Sequence, residues 1–272
     1  MSLEDHAGDI VFKARKAAGI SLEDVAGVGG VSVEALENFE EYGGLPEGFK
    51  LDATASHLGL NAVKLRGVAG GWEPAPVDVS RWRELRMITT EQGMAVNCFV
   101  AWDPETREAA LFDTGWEAEP ILALADGQGL KLQHLFITHS HGDHIAAIGA
   151  VRERWPEIRL HSAIESAPAE QRVNPAEPIA VGRLKVSARL TPGHADDGVT
   201  YVVEGFPAGA PAVAVVGDAI FAGSMGGHQR APELARTKVR EEILSLPGET
   251  LVCPGHGPLS TVQEANDWIP FF

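Results

Sequence analysis

The chain has 272 residues, of which 44% are hydrophobic and 22% are charged, so its composition is that of a globular protein rather than a disordered or fibrous one. The 22 lysines and arginines against 38 aspartates and glutamates give a net charge of -16, and a surface this acidic disfavours association with nucleic acid or anionic lipid. The only cysteines, Cys98 and Cys253, are too few for a disulfide framework and are expected to be buried apolar side chains.

The sequence contains no apolar stretch that approaches about 18 uncharged residues, so we expect no membrane-spanning helix. Its first residues, MSLEDH, are acidic where an export signal would be basic and then apolar. These features favour a cytoplasmic protein without a membrane partner.

The chain changes character near residue 70, which predicts two domains and a linker. Residues 1–66 carry short amphipathic helical patterns, and residues 67–80 (GVAGGWEPAPVDVS) are rich in glycine and proline and lack periodicity, as linkers do. Residues 81–272 alternate short β-like and helical patterns, which predicts a larger α+β domain. In that domain we expect strands at 96–102, 109–112, 132–138, 198–204, 212–216 and 250–253, and helices at 119–125, 145–154 and 231–245.

In the first segment, Ser21 and Ser32 each precede a helical pattern and are expected to cap it, with Gly30 in the turn between the two helices. With GISLEDVA (19–26), GVSVEAL (30–36) and LGL (58–60), this pattern resembles the Cro/C1-type helix-turn-helix. The resemblance implies a second helix, at residues 32–42, that would enter the DNA major groove.

The charge of that second helix argues against DNA binding. It contains four glutamates and neither lysine nor arginine, and like charges repel the phosphate backbone. We therefore favour a structural or dimerising bundle, with a homodimer as the hypothesis that follows if it packs against its symmetry mate. The alternative is a DNA-binding regulator whose second domain senses a metabolite.

In the second segment, residues 138–144 read THSHGDH and follow the apolar run 135–137. His139, His141, Asp143 and His144 are therefore expected to crowd a strand-to-helix turn. Imidazole nitrogens and carboxylate oxygens suit zinc, iron or manganese. This cluster alone is too small to saturate two metals, so further ligands must come from other strand ends.

Three later residues have the same setting. His194 ends the sequence TPGH, Asp218 follows Gly217, and His256 lies in PGHGP, each after a β-like run and among small or rigid neighbours. We therefore select these three residues as the missing ligands.

Together with the DTG sequence at 113–115, these motifs resemble, in order, the metallo-β-lactamase superfamily over residues 81–272. The resemblance implies a four-layer αββα sandwich with metals at one edge between the sheets. It implies two divalent metal ions, most simply zinc, with iron or manganese as alternatives. It also implies that Asp113 accepts a hydrogen bond from one ligand and so supports it from behind. One metal would be held by His139, His141 and His194, the second by Asp143, His144 and His256, and Asp218 would bridge both.

Two cations that share a carboxylate can share a hydroxide, because metal binding lowers the pKa of water from about 15.7 towards about 7. Asp143 and Asp218 are accordingly candidate catalytic residues. The sequences VNCFV (96–100) and GDAIFAGSMG (217–226) look most like glyoxalase II, which implies hydrolysis of a small-molecule thioester or related carboxyl ester. The alternatives are a lactonase and a persulfide dioxygenase, in which a single iron would be held by the counterparts of His139, His194 and Asp218.

Substrate contacts are less specified by the sequence. His228 lies on a glycine-rich loop ten residues after Asp218 and is a candidate substrate contact. Glutathione carries two carboxylates, for which the nearby candidate cations are Arg230, Arg236 and Lys238. The alternative is that these residues are ordinary solvated charges on the protein surface. The histidines assigned structural or solvated roles are His6, His57, His134 and His161.

Overall fold

In the computed structural model, which describes residues 2–228 and 230–272, helices flank two large β-sheets, and a third sheet has only two strands. The helices are α1 (Ala7–Ala18), α2 (Leu22–Gly29), α3 (Val33–Tyr42), α4 (Leu51–His57), α5 (Ala62–Ala69), α6 (Glu119–Gln128), α7 (Gly142–Ile145), α8 (Ile148–Arg154), α9 (Pro232–Val239) and α10 (Val262–Trp268). The strands are β1 (Leu85–Glu91), β2 (Ala95–Trp102), β3 (Glu108–Phe112), β4 (Lys131–Phe136), β5 (Arg159–His161), β6 (Ile179–Val181), β7 (Leu184–Leu190), β8 (Val199–Glu204), β9 (Val213–Gly217), β10 (Ile220–Phe221), β11 (Ser224–Met225), β12 (Leu251–Pro254) and β13 (Ser260–Thr261).

The two large sheets are mixed. The first has the order β1-β2-β3-β4-β5, in which β3, β4 and β5 run parallel. The second has the order β13-β12-β9-β8-β7-β6, in which β12 and β9 run parallel and β8 is antiparallel to both of its neighbours. As a result, β7, β9 and β12 all end at the same edge of the second sheet.

The sheets pack face to face through a buried apolar layer. Phe112 and Phe136 from the first sheet stack with ring centroids 5.1 Å apart, and Tyr201 from the second lies 5.0 Å from Phe136. The Tyr201 hydroxyl is satisfied because it donates to the Ile137 carbonyl oxygen at 2.9 Å. Because strand side chains alternate between faces, the opposite face of each sheet needs its own cover.

Helices supply that cover on both sides. On the first sheet, Ile121 of α6 and Val151 of α8 join one buried cluster with Leu111 and Leu135. On the second sheet, α9, α10 and the N-terminal helices share another cluster with strands β9 and β12. The layers are therefore helix, sheet, sheet and helix, which confirms the predicted α+β sandwich preceded by helices.

Helices α2 and α3 begin where the sequence predicts. Ser21 accepts a hydrogen bond from the Asp24 amide and Ser32 accepts one from the Ala35 amide, so both predicted caps are confirmed. Gly30 ends α2 with a φ of 72°, a left-handed conformation that favours glycine.

This helical segment is joined to the sandwich through α5 and α10. The Asn61 amide donates to the Pro270 carbonyl oxygen at 2.8 Å, and Trp72 stacks on Trp268 with ring centroids 5.0 Å apart. Helix α5 continues to Ala69, past the predicted start of the linker at residue 67. The segment from residue 67 to residue 72 is thus a packed contact between the helices and the sandwich.

The helix predicted at 145–154 is wrong in one respect, because it is divided into α7 and α8. The break occurs where the Ala147 amide donates to Gly115 and Thr114 oxygens, each at 3.2 Å, instead of continuing α7. Within the described residues, no helix has the length and apolar character needed to cross a bilayer.

Candidate metal centre

The predicted ligands converge because several strands end at one edge of the sandwich. His139 follows β4, His194 follows β7, Asp218 follows β9, and His256 follows β12. His141 is the residue before α7, and this turn brings Asp143 and His144 back towards the strand ends. The structure therefore brings together all seven residues that the sequence selected as metal ligands.

The side chains form two groups. In the first, His141 Nδ1 lies 3.0 Å from His139 Nε2 and 3.0 Å from His194 Nε2. In the second, Asp143 Oδ2 lies 3.4 Å from His144 Nε2 and 3.2 Å from His256 Nε2. Each group offers three donor atoms that face a common point.

Asp218 lies between the groups. Its Oδ2 atom is 3.5 Å from His194 Nε2 on one side and 3.4 Å from His256 Nε2 on the other. Its Oδ1 atom is 3.3 Å from His144 Nε2, and both of these buried atoms lack a hydrogen-bond partner among the described residues. Buried polar atoms are normally paired, so this arrangement fits donors that face cations.

The cysteines do not belong to the centre. Cys98 and Cys253 are fully buried in the two sheets, and burial raises the pKa of both thiols well above the usual value. Both therefore stay protonated, as the sequence interpretation of small apolar side chains predicts. The donor set is restricted to imidazole and carboxylate, which suits zinc, iron or manganese.

Three imidazoles of the centre are oriented through the ring nitrogen that faces away from the other ligands. His144 Nδ1 donates to Asp113 Oδ2 at 2.8 Å, and His256 Nδ1 donates to the Ala95 carbonyl oxygen at 2.6 Å. His194 Nδ1 donates to the Gly227 carbonyl oxygen at 3.1 Å. Such contacts fix the ring tautomer and direction in metal sites.

Asp113 is itself held in place by Thr138. The Thr138 amide donates to Asp113 Oδ1 and its hydroxyl donates to Asp113 Oδ2, each at 2.7 Å. Thr138 therefore supports a ligand through Asp113, a role that sequence reasoning missed. The only signal for it was its position as the first residue of THSHGDH.

The electrostatics of the centre favour bound positive charge. Burial opposes a charge on His144, but the carboxylates of Asp113 and Asp218 raise the pKa of His144 to about 10. Burial likewise opposes a charge on His256, but Asp143 and Asp218 raise the pKa of His256 to about 11. Burial also opposes a charge on Asp218, but the positive charges of these two nearby rings hold the pKa of Asp218 well below its usual value. Without metals, protons on the two rings balance the carboxylates, and metal binding would displace them.

Burial has the opposite net effect on His139, whose Nε2 lies 4.0 Å from Asp218 Oδ2. Burial, reinforced by the neighbouring His144, lowers the pKa of His139 to about 2. His139 is therefore neutral, the form in which imidazole binds a metal.

Glycines at the strand ends leave room for the ligands. A Cβ on Gly255 would lie 2.3 Å from Asp218 Oδ1 and 2.6 Å from His144 Cε1. A Cβ on Gly226 would lie 1.9 Å from the Asp218 carbonyl oxygen. Gly255 of PGHGP and Gly226 of GSMG are thus sterically required.

A cavity of about 710 Å³ opens beside the first group of ligands. It is lined by Ser140, His141, Ala163, Ile164, Glu165, Ser166, Gly193, His194, Ala195, Asp196, Asp197, Gly227 and Arg230. A volume of this size is typical of small-molecule sites.

The structure does not bring His228 to this cavity. Its side chain is buried, its Nδ1 donates to the Gly226 carbonyl oxygen at 2.9 Å, and its ring packs edge-on against Phe271. The loop contributes Arg230 instead. Of the other candidate cations, Arg236 pairs with Glu233 at 3.0 Å and Lys238 pairs with Glu241 at 3.0 Å, and neither lines the cavity.

The remaining histidines have other environments. His134 Nδ1 and His161 Nε2 lie 2.9 Å apart in a buried pair, and His6 caps α1 by accepting from the Asp9 amide. His57 is at the end of α4.

Two of the three basic side chains of α1, Lys13 and Arg15, face inward, whereas Lys16 is exposed. Arg15 forms two hydrogen bonds with Glu40, at 2.8 and 2.6 Å, and Lys13 contacts Asp5 and donates to the Met225 carbonyl oxygen at 2.9 Å. These two charges are therefore already neutralised within the chain, which leaves little positive surface beside the acidic α3.

Comparisons with known proteins agree with this geometry. Residues 92–256 match the profile described as the Metallo-beta-lactamase superfamily. A hydroxyacylglutathione hydrolase of Xanthomonas euvesicatoria pv. vesicatoria is 34% identical over 152 residues, which cover 54% of this chain and 56% of that protein. The mitochondrial persulfide dioxygenase ETHE1 of Homo sapiens is 32% identical over 181 residues, which cover 63% of this chain and 69% of that protein.

Among solved structures, the crystal structure of ETHE1 from Myxococcus xanthus matches with a TM-score of 0.59 and 27% identity, over 68% of this chain and 83% of that one. This chain therefore spans little more than half of the hydrolase and about two thirds of the human dioxygenase. The profile match extends from residue 92 to His256 and so includes every predicted ligand.

Proposed function

Because the chain belongs to the metallo-beta-lactamase superfamily, we propose that it is a hydrolase with two metal ions that acts on a thioester or a related carboxyl ester. The observation that carries the proposal is the position of the Asp218 carboxylate, whose oxygens lie within 3.5 Å of ligands from both groups. One carboxylate shared by two sets of donors is suited to a pair of cations that act on one reacting centre.

In this proposal His139, His141 and His194 hold one ion, Asp143, His144 and His256 hold the second, and Asp218 contacts both. Zinc is the simplest choice for this donor set, and iron or manganese would also fit. When bound, the ions would supply a water nucleophile at neutral pH and Lewis acidity towards the scissile carbonyl.

The chain's own residues would orient the reactants and move the proton. Burial opposes a charge on Asp143, but in the metal-free protein the hydrogen bond from His256, whose Nε2 lies 3.2 Å from Asp143 Oδ2, helps to lower the pKa of Asp143. Oδ2 would face the second ion, so Asp143 would use its other carboxylate oxygen, Oδ1, to accept the proton that the attacking water releases. Attack forms a bond to the acyl carbon and breaks the carbon–sulfur bond, and the thiolate leaves with the electron pair because thiols are acidic enough to depart unprotonated.

Metal content and activity test the proposal together. Purified protein is expected to bind about two transition-metal ions per chain and to hydrolyse thioesters only in that form. Asp218→Ala should remove both ions and the activity, whereas Asp126→Ala, at an exposed site on α6, should change neither. A folded protein that binds no metal would refute the proposal.

A second candidate is a persulfide dioxygenase with one iron. It is favoured by the two ETHE1 relatives and by the proximity of Asp218 Oδ2 to His139 Nε2, at 4.0 Å, and to His194 Nε2, at 3.5 Å. Oxygen consumption with glutathione persulfide and about one iron per chain would support it. A lactonase is the remaining alternative, and hydrolysis of lactones but not thioesters by the metal-loaded protein would support that.

For the N-terminal segment we propose a Cro/C1-like helix-turn-helix arrangement that serves as a structural or dimerising bundle in a cytoplasmic enzyme, with domains at 1–66 and 81–272. The caps at Ser21 and Ser32 support the arrangement, and the inward pairing of Arg15 with Glu40 supports a non-DNA role. Salt-sensitive, sequence-specific protection of DNA in a footprinting assay would instead favour the regulator. Sedimentation analysis would test the dimer.

A further inference from the structure

The cavity beside the candidate metal centre has an excess of negative charge. Its charged lining side chains are Glu165, Asp196, Asp197 and Arg230, so three carboxylates stand against one guanidinium. The same cavity opens onto His141 and His194. A substrate whose reacting carbonyl lies at the metal centre must therefore place one of its arms among these side chains.

These lining charges are not neutralised by neighbours. Within residues 2–228 and 230–272, no salt bridge joins Glu165, Asp196 or Asp197 to a cation, and Asp197 Oδ2 is buried without a hydrogen-bond partner. Arg236 and Lys238, which a glutathione site at this loop would use, are instead paired with glutamates of α9 and the turn that follows it. The field in the cavity is thus set chiefly by the three carboxylates.

This charge has a direct consequence for the thiol carrier. Glutathione brings two carboxylates and one ammonium, and a site for it normally offers cationic donors. Carboxylates that line a partly enclosed cavity repel an anionic arm and attract a cationic one more strongly than they would in open water. Arg230 by itself offers one partner for two substrate carboxylates.

We propose that this cavity selects thioesters with a cationic or uncharged carrier and discriminates against glutathione and other carriers with carboxylates. Glu165, Asp196 and Asp197 are the specificity-determining residues. This inference rests on the proposed hydrolase function and narrows its substrate class.

Three acetyl thioesters of similar size test the charge dependence. They are the esters of thiocholine, which is cationic, of N-acetylcysteamine, which is neutral, and of 3-mercaptopropionate, which is anionic. With metal-loaded protein at low salt, we expect kcat/KM to fall in that order by about tenfold per step, mostly through KM. At about 0.5 M salt, where charges are screened over a few ångströms, the steps should shrink. S-acetylglutathione should behave as the anionic ester does.

A matched pair of variants separates local from overall charge. The Glu165→Gln, Asp196→Asn, Asp197→Asn variant should raise kcat/KM for the anionic ester and lower it for the cationic one, by about tenfold each relative to the neutral ester. The control, Glu34→Gln, Glu37→Gln, Glu41→Gln, removes the same number of charges from exposed positions on α3 and should leave all three values unchanged. Asp196→Asn alone gives a smaller change in the same direction if the triple variant is unstable.

The outcomes distinguish the charge proposal from the hydrolase proposal. A wild-type preference for S-acetylglutathione, or equal effects of the two triple variants, would overturn the charge proposal and leave the hydrolase proposal intact. Failure of the protein with two metals per chain to hydrolyse any of the thioesters would refute the hydrolase proposal, and this inference with it.

Discussion

Gly255 provides a sharp test of the metal centre, because its missing side chain faces two of the proposed ligands. In a Gly255→Ala variant the added Cβ would lie 2.3 Å from Asp218 Oδ1 and 2.6 Å from His144 Cε1. Gly255 does not have a positive φ, so its backbone accepts alanine and only these contacts oppose the substitution. The change therefore perturbs the ligands and leaves the backbone conformation acceptable.

The size of the effect follows from these distances. An ordinary contact needs about 3.4 Å, so the carboxylate oxygen must retreat by roughly 1.1 Å and the imidazole carbon by roughly 0.8 Å. Metal–ligand distances vary by only about 0.2 Å in functional sites. A displacement of about 1 Å at a catalytic group costs on the order of 100-fold in rate. We expect metal affinity at the Asp143, His144 and His256 group, and kcat/KM, each to fall by about that factor.

Competition with a chromophoric chelator measures the affinity, and circular dichroism of the metal-free protein checks the fold. Gly149→Ala in α8 is the matched control, because nothing lies within 4 Å of its added Cβ. That control should bind two metals and gain up to about 1 kcal/mol in the free energy of unfolding. A folded Gly255→Ala variant with wild-type affinity for two metals would refute the reasoning.

Three further outcomes are expected. Asp113→Ala should weaken metal binding by about 10–100-fold in the same titration, because His144 loses its orienting acceptor. His228→Ala should weaken metal binding about tenfold by loosening the Gly226 carbonyl and the loop that anchors His194, whereas His228→Asn, whose amide can donate in place of Nδ1, should restore it. Burial lowers the pKa of His134 and His161 to about 4 each, below the value of about 6.5 in an unfolded chain. Because the unfolded chain binds protons more readily, the contribution of these residues to the free energy of unfolding is complete above pH 6.5 and is lost as the pH falls towards 4. In urea unfolding of metal-free protein, the pair should contribute a loss on the order of 2 kcal/mol over that range. A variant with both histidines replaced by phenylalanine should lose less by that amount, although buried His139 still contributes a loss of its own; equal losses would contradict the assignment.

The part of the centre that the sequence predicted depends on side-chain chemistry at strand ends. His194, Asp218 and His256 each follow an apolar run, and parallel strands that end at a common edge bring such residues together whatever their separation along the chain. The backbone oxygens that accept hydrogen bonds from the ligands could not be predicted in the same way. The carbonyl oxygens of Ala95 and Gly227 orient His256 and His194, and a backbone carbonyl leaves no trace in a sequence.

Side-chain orientation and two of the elements were also not predicted from the sequence. The position of His228 after Asp218 predicted that this residue would lie near the centre. The orientation of its ring, however, depends on packing against Phe271, almost at the C-terminus of the chain. Strand β1 was missed because LRMITTE does not alternate cleanly between apolar and polar residues, and its side chains are buried irregularly. Helix α10 was missed although Thr261 and Glu264 form a capping box, a signal that the sequence does contain.

The N-terminal helices are part of the same apolar cluster as the outer face of the second sheet. This packing helps to distinguish a structural role for the helices from a DNA-binding one. Lys13 donates to the Met225 carbonyl oxygen at 2.9 Å, and Asp5 accepts from the Ser224 hydroxyl at 2.5 Å. Both contacts fall on β11, directly before the loop that anchors His194. Such contacts are not expected in a DNA-binding domain that moves on a flexible linker. These contacts support the proposed structural bundle, whose removal should expose the apolar face of α10 and leave the loops around the candidate metal centre unsupported.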